Sequence, residues 1–411
     1  MQLRVVSYQS GAYIVVEGKE NADHFFIIQK GNVRISKEVE VVDEGSGLLG
    51  PGDFFGVVST MSSHSHIETA QALSDVSLIT VRREQFSQLI EKKSQVAMKI
   101  ILEFSKRLRY LDTAHTRLSL QHAAEEDASH LFTIAEYYFG HGQYEAAFYA
   151  YSRYLKIFPA GENAAAAREQ GAKAEVHAKG VKTEFAPNET SRAYPKGTML
   201  FAEGEPGQEL FIIQKGSVKI VKIMNNNEVL LALLKAGDIF GEMALLESKP
   251  RAASAVAYED CQVLAVNHAN FKQMITAQPQ LITRLTTLLA ERIWLIYKQL
   301  ANTLINNPLG RMFDALHIQL EKNNVPLDSP VPYAYTFEFG PKELANMVGL
   351  PLADAKFVME KMLENNRIML EDDKIRTTSV AEIIKQASYY KKMDRIEKMR
   401  MNSKEQGASS K

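Results

Sequence analysis

The sequence predicts an α+β chain: two jelly-roll β-barrels, a helical insert between them, and a small helix–turn–helix domain at the C-terminal end. Three observations predict it. Short β-branched or aromatic runs recur between regularly placed glycines, as in KGTMLFAEG, GQELFIIQKGSVKIVKI and EVLLALLKAGDIFGE; strands with such turn signals form a barrel or jelly roll. The pattern occurs twice, His24–Ser36 (HFFIIQKGNVRIS) matching Leu210–Val221 (LFIIQKGSVKIV). Each copy is followed by a run with apolar residues at helical spacing.

The elements follow in order. Residues 1–120 form the first barrel and its closing helix, Val96 to Leu120, with Ile100, Phe104, Leu108 and Leu111 on one face. Residues 121–184 are rich in Ala and Tyr and form the insert. Pro159 ends its second helix, and Ala-rich Asn163 to Lys179 supplies a capping helix. Gly180–Gly197 is a linker by its Gly, Pro and Asn content. The second barrel and closing helix occupy 185–305. On that helix, Leu281, Leu285, Leu289, Ile293, Ile296 and Leu300 share a face. In 306–380, Pro308 to Lys322 is one amphipathic helix. Glu343, Leu344, Ala345 and Met347 lie on a second, Gly349 makes a turn, and Pro351 to Asn365 is a third. A hairpin follows around Asp372–Asp373, and 381–411 form a basic helix and tail.

The net charge of −1 removes any global basic field, and a single cysteine, Cys261, excludes an intramolecular disulfide. No apolar run is long enough to span a bilayer. A cytoplasmic protein without membrane contact is expected. No nucleophile–base pair, metal cluster or phosphotransfer motif stands out, so no enzyme is expected. His64 and His66 suggest a metal or a pH switch, but two ligands fall short of a metal site and a surface loop is the plainer reading.

The chemistry concentrates in Phe240 to Ala255, FGEMALLESKPRAASA. Gly241 permits close approach of the backbone. Met243, Ala244, Leu245 and Leu246 start a short helix whose free N–H groups suit an anion. Glu242 offers an acceptor to sugar hydroxyls. Arg251, expected at the surface, offers a cation to a phosphate. Ala252 and Ala253 leave room. This spacing resembles the phosphate-binding cassette of the cyclic-nucleotide-binding domain family. The resemblance implies cyclic AMP as ligand. Cyclic GMP is less expected, because Ala252 stands where relatives selective for it carry Thr. It also aligns Ile296 and Tyr297 with base-contacting positions, with Leu231 lining the same pocket.

The first copy departs from the pattern. Val57 replaces Glu242, His66 replaces Arg251, and Ile67 and Glu68 replace the alanines. A sugar acceptor and a permanent cation are gone and a carboxylate has arrived, so this barrel is expected to hold no nucleotide. In the insert, Leu131, Tyr138, Gly142, Tyr144, Ala147 and Tyr151 resemble one tetratricopeptide repeat. That implies either a spacer between barrels or a docking groove for a protein partner. One repeat cannot bury its own faces, so it must lean on a barrel or a partner.

The second barrel with the C-terminal domain resembles the CRP/FNR family of transcription regulators, with a winged helix that binds DNA. Lys342, Leu352, Ala353 and Lys356 fall at the positions implied to face DNA. Leu352, Ala353 and Asp354 offer no bidentate readout of guanine, so a winged helix turned to protein contact is the rival. The closing helices pair either within one chain, giving a monomeric pseudo-dimer, or between two chains as a homodimer.

Overall fold

The computed structural model describes residues 4–20, 22–39, 47–120, 130–178, 181–182, 184–186, 189–224, 226–277, 279–350 and 352–408. The chain divides into two compact units. One comprises Met1–Gln85, Tyr110–Ala123 and Ala290–Lys411, the other Phe86–Arg109 and Ala124–Leu289.

In the first unit, two four-stranded antiparallel sheets form a barrel. One orders its strands Arg4–Tyr8, Val76–Arg82, His24–Lys30 and Phe54–Phe55; the other Tyr13–Val15, Thr69–Ala72, Val33–Ser36 and Leu48–Leu49. Alternation within each strand sends Phe26, Ile28, Val33, Val76 and Leu78 into one core. Phe26 and Phe55 stack there at 5.0 Å between centroids. Gly31, at φ 87°, turns the chain between two strands where a Cβ would strike the carbonyl of Asp75.

The same unit holds the C-terminal domain. Helix Pro308–Lys322 starts where Asn307 accepts hydrogen bonds from the backbone N–H groups of Leu309 and Gly310, with Pro at the first helical position. Helices Pro341–Met347 and Leu352–Leu363 follow, with a sheet ordered Tyr335–Thr336, Lys374–Thr377 and Ile368–Glu371. The hairpin turns on Asp372 and Asp373, both at positive φ. The final helix, Val380–Ala408, is more than a basic appendage: Ile383 and Ala387 lie in the domain core.

The second unit contains the other barrel. One sheet runs Ile239–Phe240, Glu209–Lys215, Cys261–Asn267 and Ser191–Tyr194; the other Met199–Phe201, Ser254–Ala257, Ser217–Met224 and Asn227–Lys235. The tract expected to be linker throughout thus contributes an edge strand. Ser191–Tyr194 pairs with Leu264 back to Cys261 and buries Arg192 and Tyr194 alternately.

Residues 121–129, the start of the expected insert, lie outside the described residues. The rest forms helices His130–Gly140, Tyr144–Ile157 and Ala164–His177. Their buried face joins the barrel wall: Ile134, Tyr138, Ala147, Tyr151 and Ala167 share one core with Met199, Ala202, Val221, Ile223 and Val256. This barrel surface buries the face that three short helices could not bury alone.

The long helices, Ser94–Leu120 and Pro279–Thr303, each span the division between units. In the second unit, Ser105 of the first helix donates to Glu247 Oε1 at 2.7 Å. Arg109 donates to Glu247 Oε2 at 3.0 Å and to the Pro250 carbonyl at 3.1 Å. In the first unit, Trp294 of the second helix stacks on His64, 4.1 Å between centroids. In the second unit the stretch 94–109 thus holds the cassette of Glu247, and in the first unit the stretch 290–303 lies against the His64 loop.

Candidate ligand-binding site

The two cassettes share a local backbone. Gly241 (φ 74°) precedes helix Glu242–Glu247, and Gly56 (φ 77°) precedes helix Val57–Ser62. Each helix ends on a serine in the left-handed region, Ser248 and Ser63. The difference lies in the side chains.

In the second barrel, Arg251 is 6% exposed rather than at the surface. Its Nη1 donates to the Gly241 carbonyl at 2.7 Å, and its guanidinium carbon lies 4.1 Å from the ring centroid of Phe201. Its Nε is buried without a hydrogen-bond partner among the described residues. A Cβ at Gly207 would run into the guanidinium, so glycine there makes the cradle in which the arginine lies. Burial depresses the pKa of Arg251, against the pull of Glu205, Tyr149, Glu209 and Glu242. A buried, incompletely paired guanidinium beside close-approach glycines is suited to an anion, and this donor set fits a cyclic phosphate.

The other expected contacts divide. Glu242, Met243 and Ala244 are buried at the head of the cassette helix, and Ala252 and Ala253 are half-buried beyond Arg251. Leu231 is exposed on strand Asn227–Lys235 of the same unit. Ile296 and Tyr297 fall in the other unit. There Tyr297 donates to Glu17 Oε1 at 2.8 Å and accepts from the Val39 N–H at 3.3 Å, both on the first barrel. Sequence reasoning missed Glu205, a buried carboxylate facing Arg251; only its place beside the Gly204–Gly207 turn could have signalled it.

In the first barrel, Glu68 Oε1 accepts the Gly56 N–H at 2.8 Å. The cassette amide is thus held by the chain's own carboxylate. His66, where Arg251 stands in the other copy, is buried, and burial lowers its pKa, with Glu68 opposing. His64 is engaged by Trp294. Among the described residues no group of three or more His, Cys, Asp or Glu is placed to hold a metal. No helix among them is long and apolar enough to cross a membrane.

In the C-terminal domain, Lys342 and Lys356 are exposed, while the side chains of Leu352 and Ala353 lie outside the described residues. Asp354 is exposed beside Lys356, and Phe357 is 58% exposed with Lys361 Nζ 4.4 Å from its ring centroid. The hairpin cations face acids, Lys374 with Glu338 and Arg376 with Glu371, both at 2.6 Å.

The sequence model of the family described as Cyclic nucleotide-binding domain matches residues 5–93 and 191–278. The chain is 39% identical over 103 residues to the Cyclic AMP receptor protein of Thermus thermophilus, covering 25% of this chain and 48% of that relative, about half its length. It is 29% identical over 157 residues to the CRP-like cAMP-activated global transcriptional regulator of Mycobacterium tuberculosis, covering 38% of this chain and 69% of the relative. Among solved structures, the catabolite activator protein of Thermus thermophilus is similar at 27% identity and a TM-score of 0.28, covering 50% of this chain and 97% of that one.

Proposed function

We propose that this chain, which carries two cyclic nucleotide-binding domains, is a cyclic nucleotide sensor whose second barrel holds the ligand and whose C-terminal domain is the output. The observation that carries this reading is Arg251, buried in a glycine cradle with its Nε lacking a hydrogen-bond partner among the described residues. Its charge would meet the cyclic phosphate, and Glu242 would take the ribose hydroxyl. Cyclic AMP is the favoured ligand, because Ala252 offers nothing to the amino group of guanine.

The first barrel is read as a scaffold. Glu68 holds the Gly56 amide, and His66 stands where the second barrel has its arginine, so that position carries no permanent cation for a phosphate. The first barrel serves instead as the seat of Trp294 and Tyr297. Within the second unit Ser105 and Arg109 hold Glu247 of the cassette, and within the first Trp294 stacks on His64; these contacts support a one-chain counterpart of a two-subunit regulator, with a single winged helix.

Regulation of transcription is the output that the name of the Mycobacterium tuberculosis relative favours. A second reading, a protein-docking output, is favoured by exposed Phe357 and Asp354 and by the acid-paired hairpin, since carboxylates repel phosphate and an exposed aromatic suits a protein surface. The experiment is retardation of the protein's own promoter fragment, at moderate fixed salt, with and without cyclic AMP. Retardation that depends on cyclic AMP supports the regulator. Cyclic AMP binding without retardation supports the docking output.

A further inference from the structure

Glu205 is 6% exposed and feels two arginines from different parts of the second unit. The cassette runs beside it: the Arg251 backbone N–H donates to the Glu205 carbonyl at 2.9 Å, and the Arg251 charge pulls on the Glu205 carboxylate. Arg153, on insert helix Tyr144–Ile157, places Nε 3.5 Å from its Oε2. Tyr149, one helical turn before Arg153 on the same face, has its hydroxyl 3.1 and 3.3 Å from the two carboxylate oxygens and 3.1 Å from the Leu200 carbonyl. Arg153 Nε also donates to that hydroxyl at 3.0 Å. Tyr149 is 2% exposed and Arg153 partly exposed, so the cluster lies between insert and barrel with only its arginine reaching the surface. Glu184 also acts on Arg153, and is itself paired with Lys156 at 2.6 Å. Glu209 and Glu242 face Arg251, and Tyr194 faces Tyr149. Glu209 is itself held by both terminal nitrogens of Arg192, at 2.8 and 2.7 Å.

We propose that Arg153 and Tyr149 are positioning residues of the phosphate subsite, holding Glu205 toward the insert so that Arg251 keeps its charge for the ligand. The proposal rests on the reading of the second barrel as the cyclic nucleotide site. Its physics is competition. A buried carboxylate that loses Arg153 turns to Arg251 as its counter-ion, and then rivals the phosphate for the same guanidinium. The insert is thereby part of the binding site's electrostatics, and its seating on the barrel sets the affinity.

The test is calorimetric titration of cyclic AMP into the full chain and its variants. Arg153→Gln is expected to weaken binding about tenfold at pH 7.5, the scale of one charge-assisted contact. The loss should recover as the pH falls toward about 5.5, because protonating Glu205, whose pKa burial already raises against the pull of Arg153 and Arg251, removes the competitor. Adding Glu205→Gln to Arg153→Gln should restore affinity at pH 7.5. Tyr149→Phe, which keeps the ring packing, should show a smaller loss with the same pH recovery, and it carries the test if Arg153→Gln does not fold. Wild-type affinity in both single variants at every pH overturns the proposal. So does a loss that neither acid nor Glu205→Gln reverses, since that is the mark of simple misfolding of the insert. If the wild type binds no cyclic AMP, or Arg251→Ala binds like the wild type, the site reading itself fails, an outcome distinct from either of these.

Discussion

Tyr297, on the helix that follows the second barrel, donates its hydroxyl to Glu17 of the first barrel at 2.8 Å. The residue is 2% exposed and also accepts the Val39 N–H. Its role in the first unit is therefore structural. Tyr297→Phe is expected to destabilise that unit by about 1–2 kcal/mol, the scale of a buried hydrogen bond whose partners are left unpaired. Cyclic AMP affinity should stay within twofold. Denaturant unfolding and calorimetry together check this. A tenfold affinity loss at unchanged stability would return Tyr297 to the base-contacting role that the sequence suggested.

Trp294 is fully buried and stacks on His64. Trp294→Ala should cost about 3–5 kcal/mol, the usual result of emptying an aromatic site in a core. Trp294→Phe should recover much of that. If Trp294→Ala leaves unfolding unchanged, the second long helix does not rest on the first barrel in solution.

Acid should loosen the first barrel. Burial lowers the pKa of both His64 and His66. As the pH falls through about 6.5, the ordinary histidine value, the unfolded chain takes up protons that the native state resists, so stability drops. The double variant His64→Gln, His66→Gln should lose less stability between pH 7.5 and 5.5 than the wild type. Parallel curves for the two proteins would exclude these histidines as the source.

What was legible in the sequence was local. Asn307 and Pro308 announce a helix start, and Pro308–Lys322 has the bounds expected of it. Repeated glycines and alternating apolar residues announce both barrels, and the cassette spacing placed Gly241 and Arg251 together. What was not legible depends on contacts distant in sequence. The apolar face of the second long helix is visible as a period of 3.6 residues, but periodicity does not say which barrel it meets. Strand Ser191–Tyr194 was hidden because four residues amid Pro, Gly and Asn are too few to register as alternation. The burial of Arg251 follows from Phe201, Phe211 and Gly207 closing around it inside the barrel, contacts that the cassette spacing does not reveal.

The chain should act as a monomer. Light scattering with cyclic AMP present is expected to give the mass of one chain. A stable dimer, dissociated by Leu289→Asp, would instead mean that the long helices pair between molecules.

One ligand site per chain is expected, in the second barrel and centred on Arg251. Equilibrium titration of cyclic AMP into the wild type and Arg251→Ala, with folding checked by circular dichroism, tests it most directly. The expected result is a stoichiometry of one and loss of binding in a folded Arg251→Ala protein. Two equivalent sites, or unchanged affinity in that variant, would contradict it.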